Sequence, residues 1–349
     1  MQHDDALASL HTRNFPALLD QLGASVLVTT YQAGKLVVLR PGGATLNTHY
    51  RAFARPMGLA ADRDRLALGA HGEIVEFRNM PAAARRLDDA ARHDAVYLMR
   101  RRHVTGAIDI HEMAYDGAGR LWFVNTLFSC LCTLDEASSF VPRWRPPFVP
   151  GYAAEDRCHL NGLGMRDGAP RYVTALGATA GVQGWRANKR DGGIVMDVPS
   201  SAVIAGGLSM PHSPRWHDGR LWLLESGRGA LVTVDPITGA KTDVARVPGF
   251  ARGLDFAGPV AFIGLSQLRE TNAFTDIPIT QDNTDRLSGV WVVHTGMGET
   301  LAFLTFTGGV REIFAVHLLA GVRFPEIIHE GELLASSYAL PDEALRDVR

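Results

Sequence analysis

Two stretches of this chain open on a histidine and then repeat the same pattern. Ile110-His111-Glu112-Met113-Ala114-Tyr115 and Pro211-His212-Ser213-Pro214-Arg215-Trp216 each run into a turn, Asp116-Gly117-Ala118-Gly119 or His217-Asp218-Gly219, and then into Arg-Leu-Trp and a second apolar run. Two imidazoles gathered with His159, or with the carboxylate of Glu312, suit zinc, iron, manganese or copper better than calcium, which prefers oxygen donors. An ion held this way polarises a substrate oxygen or activates water. Arg252 can clamp a substrate carboxylate or phosphate with its forked guanidinium. Glu225 becomes a general base if desolvation raises its proton affinity. Asn125, Gln267 and Ser266 are candidates to orient a substrate. Each also has a plainer role: histidines packing a channel neck, ion pairs for Arg252 and Glu225, and strand-end backbone hydrogen bonds for the amides and the serine. His111-Glu112 is not the start of an HExxH helix, and no Ser-His-Asp set with a nucleophile elbow is visible.

The elements that must position these residues are short strands. Asp-Gly and Gly-rich turns between apolar runs signal hairpins. The segments opening at Met57, His111, Asn161, His212 and Arg252 are separated by 54, 50, 51 and 40 residues. Periods in this range, each filled by about four strands, indicate a β-propeller. The N-terminal unit (25–30, 35–40 and 45–53) lacks an opening strand, and Arg311–His317 has the apolar character to supply it. The predicted fold is therefore all-β: a six-bladed β-propeller closed by N- and C-terminal strands sharing a blade, with Glu312 as the sixth opening residue. Closure removes two unpaired sheet edges. In such a ring the first strand starts, and the antiparallel second strand ends, at one face of the channel. The openings (His111, Asn161, His212, Arg252 and Glu312, with His159 just ahead) thus converge with the strand ends (Asn125, Thr174, Glu225, Ser266 and Gln267).

The propeller is expected over 25–317, after a short helical lead at 1–24. A segment at 318–349 with a charged tail is expected to pack on it, or to close a homo-oligomer. A polar loop is expected near 268–287. The glycine-rich loop 177–193, with Trp185, is either a lid over the mouth or surface. The apolar fraction of 46% and charged fraction of 21% are those of an ordinary globular protein. A formal charge of -2 gives no reason to expect nucleic acid or an anionic membrane as partner. The start of the chain lacks a signal-peptide pattern, and no run of about 18 apolar residues suggests a membrane span. The three cysteines, Cys130, Cys132 and Cys158, argue against a disulfide framework and for a reducing compartment, so the expected location is cytoplasmic.

Asn161-Gly162-Leu163-Gly164 resembles the "PNGL" opening of gluconolactonase-like proteins (the senescence-marker-protein-like group). Pro211-His212-Ser213-Pro214-Arg215-Trp216, with the turn before Leu221-Trp222, resembles their "PDGMAVD-x-G-x-LW" blades. NHL-type propellers share this grammar, and the histidine-bearing openings suggest an uncharacterised bacterial family, which has no activity to carry over. The gluconolactonase resemblance implies a divalent cation at the mouth, with Asn161 as an Asn ligand, His212 where an Asp stands, Glu312 closing the set and His111 at a further position. It also implies lactone or ester hydrolysis. Histidines in place of oxygen donors depart from that pattern and leave lyase or isomerase chemistry open. The expected function is a metal-dependent enzyme acting on a small polar, anionic substrate. The alternative is a non-catalytic propeller that binds a ligand or a protein.

Overall fold

In a computed structural model the residues described are 7–87, 92–267, 276–281 and 286–348. They form six sheets arranged as a six-bladed β-propeller. Most of the loop expected near 268–287 lies outside the described residues. Within each blade neighbouring strands are antiparallel, and the apolar faces of adjacent blades meet. Leu27, Val38 and Leu36 of blade one, for example, pack with Leu66, Leu68 and Phe77 of blade two. The core is thus divided among the interfaces between blades, which is how a chain of this length avoids a single oversized core.

The first blade is shared between the two ends of the chain. Val316–Ala320 is its innermost strand and pairs with Ala24–Thr30, bringing Val28 opposite Val316 and Ala24 opposite Ala320. The closing strand therefore extends beyond 317. The residues before it form the approach to the channel mouth, with the Phe314 N–H donating to the Thr29 carbonyl. The apolar run from Ile313 to Leu319 extends on both sides of this point, so its pattern alone does not set the register.

Both flanking segments add a strand to the edge of a blade. The lead is not wholly helical: Ser9–His11 is a strand on blade six, and the helix Phe15–Gln21 follows it. Phe15 and Leu19 of that helix are fully buried between blades six and one. Pro325–Ile328 lies parallel to Ala95–Val104 on the edge of blade two. Two short helices, Glu332–Ala335 and Asp342–Leu345, come after it. Among the described residues no helix is long and apolar enough to cross a membrane. Cys130, Cys132 and Cys158 are buried free thiols.

One local device recurs in blades three to six. Each innermost strand breaks register within a few residues of its start: Ile110 to Met113, Leu160 to Gly162, His212 to Arg215 and Ala251 to Leu254. A bulge at a strand end redirects side chains. In blade six the bulge contains Arg252 and Gly253. Gly253 has φ +76°, and a Cβ there would lie 2.4 Å from the Val316 backbone nitrogen. Only glycine lets blade six approach the closing strand this closely.

Candidate functional site

The mouth is built on backbone carbonyls and hydroxyls. At the end of the second strand of four blades a hydroxyl donates to the opening of the next blade: Thr29 to Met57 O (2.7 Å), Thr126 to Leu160 O (2.6 Å), Ser226 to Ala251 O (2.5 Å) and Ser266 to Ile313 O (3.0 Å). Thr126 and Ser226, their hydrogens committed, can only accept from the imidazoles beside them. His111 Nδ1 lies 2.8 Å from Thr126 Oγ1 and 3.1 Å from Asp109 O. His212 Nδ1 lies 2.8 Å from Ser226 Oγ and 2.9 Å from Met210 O. Two acceptors at each Nδ1 assign the proton to that atom and leave Nε2 as a bare lone pair. The chain reaches these positions through left-handed residues two places earlier, Asp109 (φ 54°) and Met210 (φ 48°), and His159 (φ 50°) stands in the same relation to Asn161.

These groups face one another. The His111 ring meets the His159 ring edge-on, with centroids 4.8 Å apart, and meets the Phe314 ring at 4.8 Å. His212 packs against Phe250 at 5.7 Å. The Arg252 guanidinium sits 4.7 Å from the Phe314 centroid and 5.3 Å from that of Phe250. Its Nε is buried with no hydrogen-bond partner among the described residues. Burial pushes Arg252 down to about 10, against a smaller opposing pull from Glu312. Burial, together with the charge of Arg252, also holds His111 and His212 well below the usual imidazole range. Both shifts favour the neutral ring.

His159 has a different partner. Its Nδ1 lies 3.0 Å from both oxygens of the Asp156 carboxylate, which also accepts the Trp185 Nε1–H at 3.0 Å. Trp185 comes from the loop 177–193, is 4% exposed and packs on His159 with centroids 4.5 Å apart. That loop therefore covers one side of the mouth.

Other expected site residues serve the blades. Glu225 is fully buried. It accepts the Ser209 N–H at 3.0 Å and is paired with Arg228 and, at 2.7 Å, with Lys241. Its carboxylate is occupied within its own blade, so the expected proton-transfer role has no free group behind it. Asn125 Oδ1 accepts the Phe128 N–H at 3.0 Å, and Asn161 Oδ1 accepts the Thr174 hydroxyl at 2.7 Å. Ser266 is engaged with Ile313 O, and the Gln267 N–H donates to Arg311 O. All but the Asn161–Thr174 bond are strand-end bonds of the kind a buried backbone requires, while the Nδ2 atoms of Asn125 and Asn161 are buried without a partner among the described residues.

Among the described residues no three His, Cys, Asp or Glu side chains are placed to hold a metal ion together. Of the set His111, His159, Asn161, His212 and Glu312, the amide oxygen of Asn161 is engaged and two imidazoles stand beside a guanidinium whose charge opposes a cation. The Nε2 atoms are donors of the right kind, so it is the charge of Arg252 that speaks against a divalent ion here.

Asp156, Phe250 and Phe314 join the site without having been singled out for it, as do Thr126 and Ser226. The last two directly follow Asn125 and Glu225, so reading each strand end one residue further would have found them. Asp156 stands three residues before His159, a spacing with no signal until the left-handed turn is known.

The depressed imidazoles have a measurable consequence. A histidine neutral when folded but free to protonate when unfolded contributes stability that is complete above about pH 6.5 and is lost as pH falls below it. The slope approaches about 1.4 kcal/mol per pH unit for each such histidine. Denaturant titrations between pH 7 and pH 5 should show this slope, and His212→Gln should reduce it by the share of one group. Identical slopes in both proteins would contradict the neutral assignment of His212.

A model of the family described as "Domain of unknown function (DUF4915)" matches residues 13–328. No curated protein matches the chain. Among solved structures, a chain of a nidogen–laminin complex is similar, with a TM-score of 0.56 and 11% identity over 85% of this chain and 99% of the other. A protein of unknown function from Bacteroides caccae has a TM-score of 0.52 and 9% identity over 85% and 98%. A gluconolactonase from Xanthomonas campestris has a TM-score of 0.49 and 14% identity over 81% and 86%. At these identities the first two likenesses are of fold alone, and the third carries nothing about this chain's reaction.

Proposed function

The chain belongs to the DUF4915 family, and from the chemistry of its channel mouth we propose an enzyme that binds a small, anionic, hydroxyl-bearing substrate and takes a proton from it or from an attacking water. The observation that carries this reading is an Arg252 guanidinium whose Nε is buried with no hydrogen-bond partner among the described residues, in a neck shared with three imidazoles whose Nδ1 atoms are all engaged by the protein. A desolvated guanidinium between aromatic rings favours a planar anion. The Nε2 lone pairs of His111 and His212 would accept hydrogen bonds from substrate hydroxyls. His159 would carry the proton, with Asp156 fixing the ring and stabilising the charge that develops on it.

The substrate would also tune the site. A bound anion offsets the field of Arg252, one of the causes that keep His111 and His212 neutral, and so raises their proton affinity when substrate is present. Hydrolysis of a lactone or ester, with His159 activating water, fits this set of groups. So does abstraction of a proton next to the bound carboxylate.

Calorimetric titration with glycolate, lactate and gluconate tests the binding half. Wild-type protein should bind at least one of them, and Arg252→Met should weaken it by about 2–3 kcal/mol, the scale of a lost charge-assisted contact. Equal binding by the variant would remove Arg252 from the site. Anion binding without turnover of any lactone, ester or hydroxy acid tried would favour a non-catalytic binding propeller.

A further inference from the structure

The channel has a second end. Where the innermost strands finish, a cavity of about 440 Å³ is lined by Glu112, Tyr115, Met165, Trp216, Asp255 and His317, among others, and by none of the mouth residues His111, His159, His212 and Arg252. Most of its charges cancel locally. Glu112 is paired with Arg215 and accepts the Leu163 N–H at 2.8 Å. Asp62 is paired with Arg65 at 3.0 Å, and Asp116 with Arg120 at 3.1 Å. Asp255 differs: among the described residues no arginine or lysine pairs with it. It accepts the backbone N–H groups of Phe256 at 2.9 Å and Leu318 at 2.8 Å, and His317 Nδ1 lies 3.3 Å away.

Of the four acids that line this cavity, which is large enough for a small ligand, Asp255 is thus the one held by backbone N–H groups and an imidazole instead of an arginine. Its side chain is 25% exposed, so solvent reaches it. The aromatic walls already attract cations. The Arg166 guanidinium lies 4.0 Å from the Trp216 centroid and that of Arg65 lies 3.7 Å from the Tyr115 centroid. Tyr172 also stacks on Trp216, with centroids 5.9 Å apart, so these faces are taken and the place left for an ammonium group is the Asp255 carboxylate.

We propose that this lower cavity is a second ligand site, separate from the mouth, that takes a small organic amine on Asp255. The test is a calorimetric titration of the full chain with methylammonium, ethanolamine and tetramethylammonium chlorides, with sodium chloride as control. At least one amine should bind at millimolar concentration, and Asp255→Asn should weaken it by about tenfold or more. Met165→Trp fills the cavity without touching the hydrogen bonds of Asp255 and should abolish binding even if Asp255→Asn folds poorly. Arg252→Met should leave amine binding unchanged. Absence of amine binding in the wild-type protein would overturn the proposal, as would undiminished binding in Met165→Trp.

Discussion

Replacing Glu326 with glutamine is expected to destabilise the protein by about 3–5 kcal/mol, the usual cost of removing one member of a buried ion pair. Glu326 sits on the added strand Pro325–Ile328, is 7% exposed, and faces four cationic or ionisable groups. Arg51 Nη2 and His49 Nε2 lie 2.6 and 2.8 Å from its Oε1, and Arg40 Nη1 and His93 Nε2 lie 3.6 Å from its Oε2. The same arginines hold the strand's backbone, Arg40 through Pro325 O at 2.7 Å and Arg51 through Ile327 O at 2.6 Å. One carboxylate thus fastens the C-terminal segment across blades one and two.

Burial lowers Arg40 to about 10 even with the carboxylate nearby, whereas Glu326 falls to about 2. The pairing therefore favours the anion more than it favours this cation, and removing the anion leaves Arg40 and Arg51 uncompensated. Guanidinium unfolding midpoints measure the loss. Proteolysis of the segment after 325 should also accelerate in the variant. A change below about 0.5 kcal/mol, the range of ordinary surface substitutions, would contradict this role. The contribution should be complete above the usual carboxylate range and fade as pH falls from about 4.5 towards 2, because the folded value is the lower one.

Replacing His159 with glutamine is expected to lower kcat by about 10²–10⁴, the range for loss of a positioned general base, with little change in KM. The pattern for Arg252→Met should be the reverse, a raised KM with a smaller effect on kcat, because its contact is made in the ground state as well. Asp156→Asn separates orientation from mere packing. It keeps the size of the side chain, but its amide cannot stabilise an imidazolium, so kcat should fall while the protein stays folded. Turnover is measured on whichever lactone, ester or hydroxy acid the wild-type protein converts. A His159→Gln enzyme that keeps wild-type kcat would remove the proton-transfer role.

The ring was legible in the sequence because turn residues and apolar alternation are local and repeat six times. Spacing alone brought His111, His212 and Arg252 towards one mouth. Details that depend on register were not legible. The bulge that contains Arg252 and the start of the closing strand at Val316 each shift a residue or more from the ideal repeat, and one residue reverses a side chain's face. That is why Glu225, a plausible base at a strand end, proves to be held by Arg228 and Lys241, while its neighbour Ser226 holds His212. The ion expectation rested on residue types. What residue types alone do not reveal is the charge of Arg252, which reaches the imidazoles from another blade and opposes a cation beside them.

The most direct test of the mouth is the ¹⁵N spectrum of its imidazoles during titration with gluconate at pH 7. The expected result is neutral, Nδ1-protonated His111 and His212 in the free protein, with Nε2 signals that move on binding and do not move in Arg252→Met. Charged rings, Nε2-protonated rings, or Nε2 signals indifferent to gluconate, lactate and glycolate alike would contradict it.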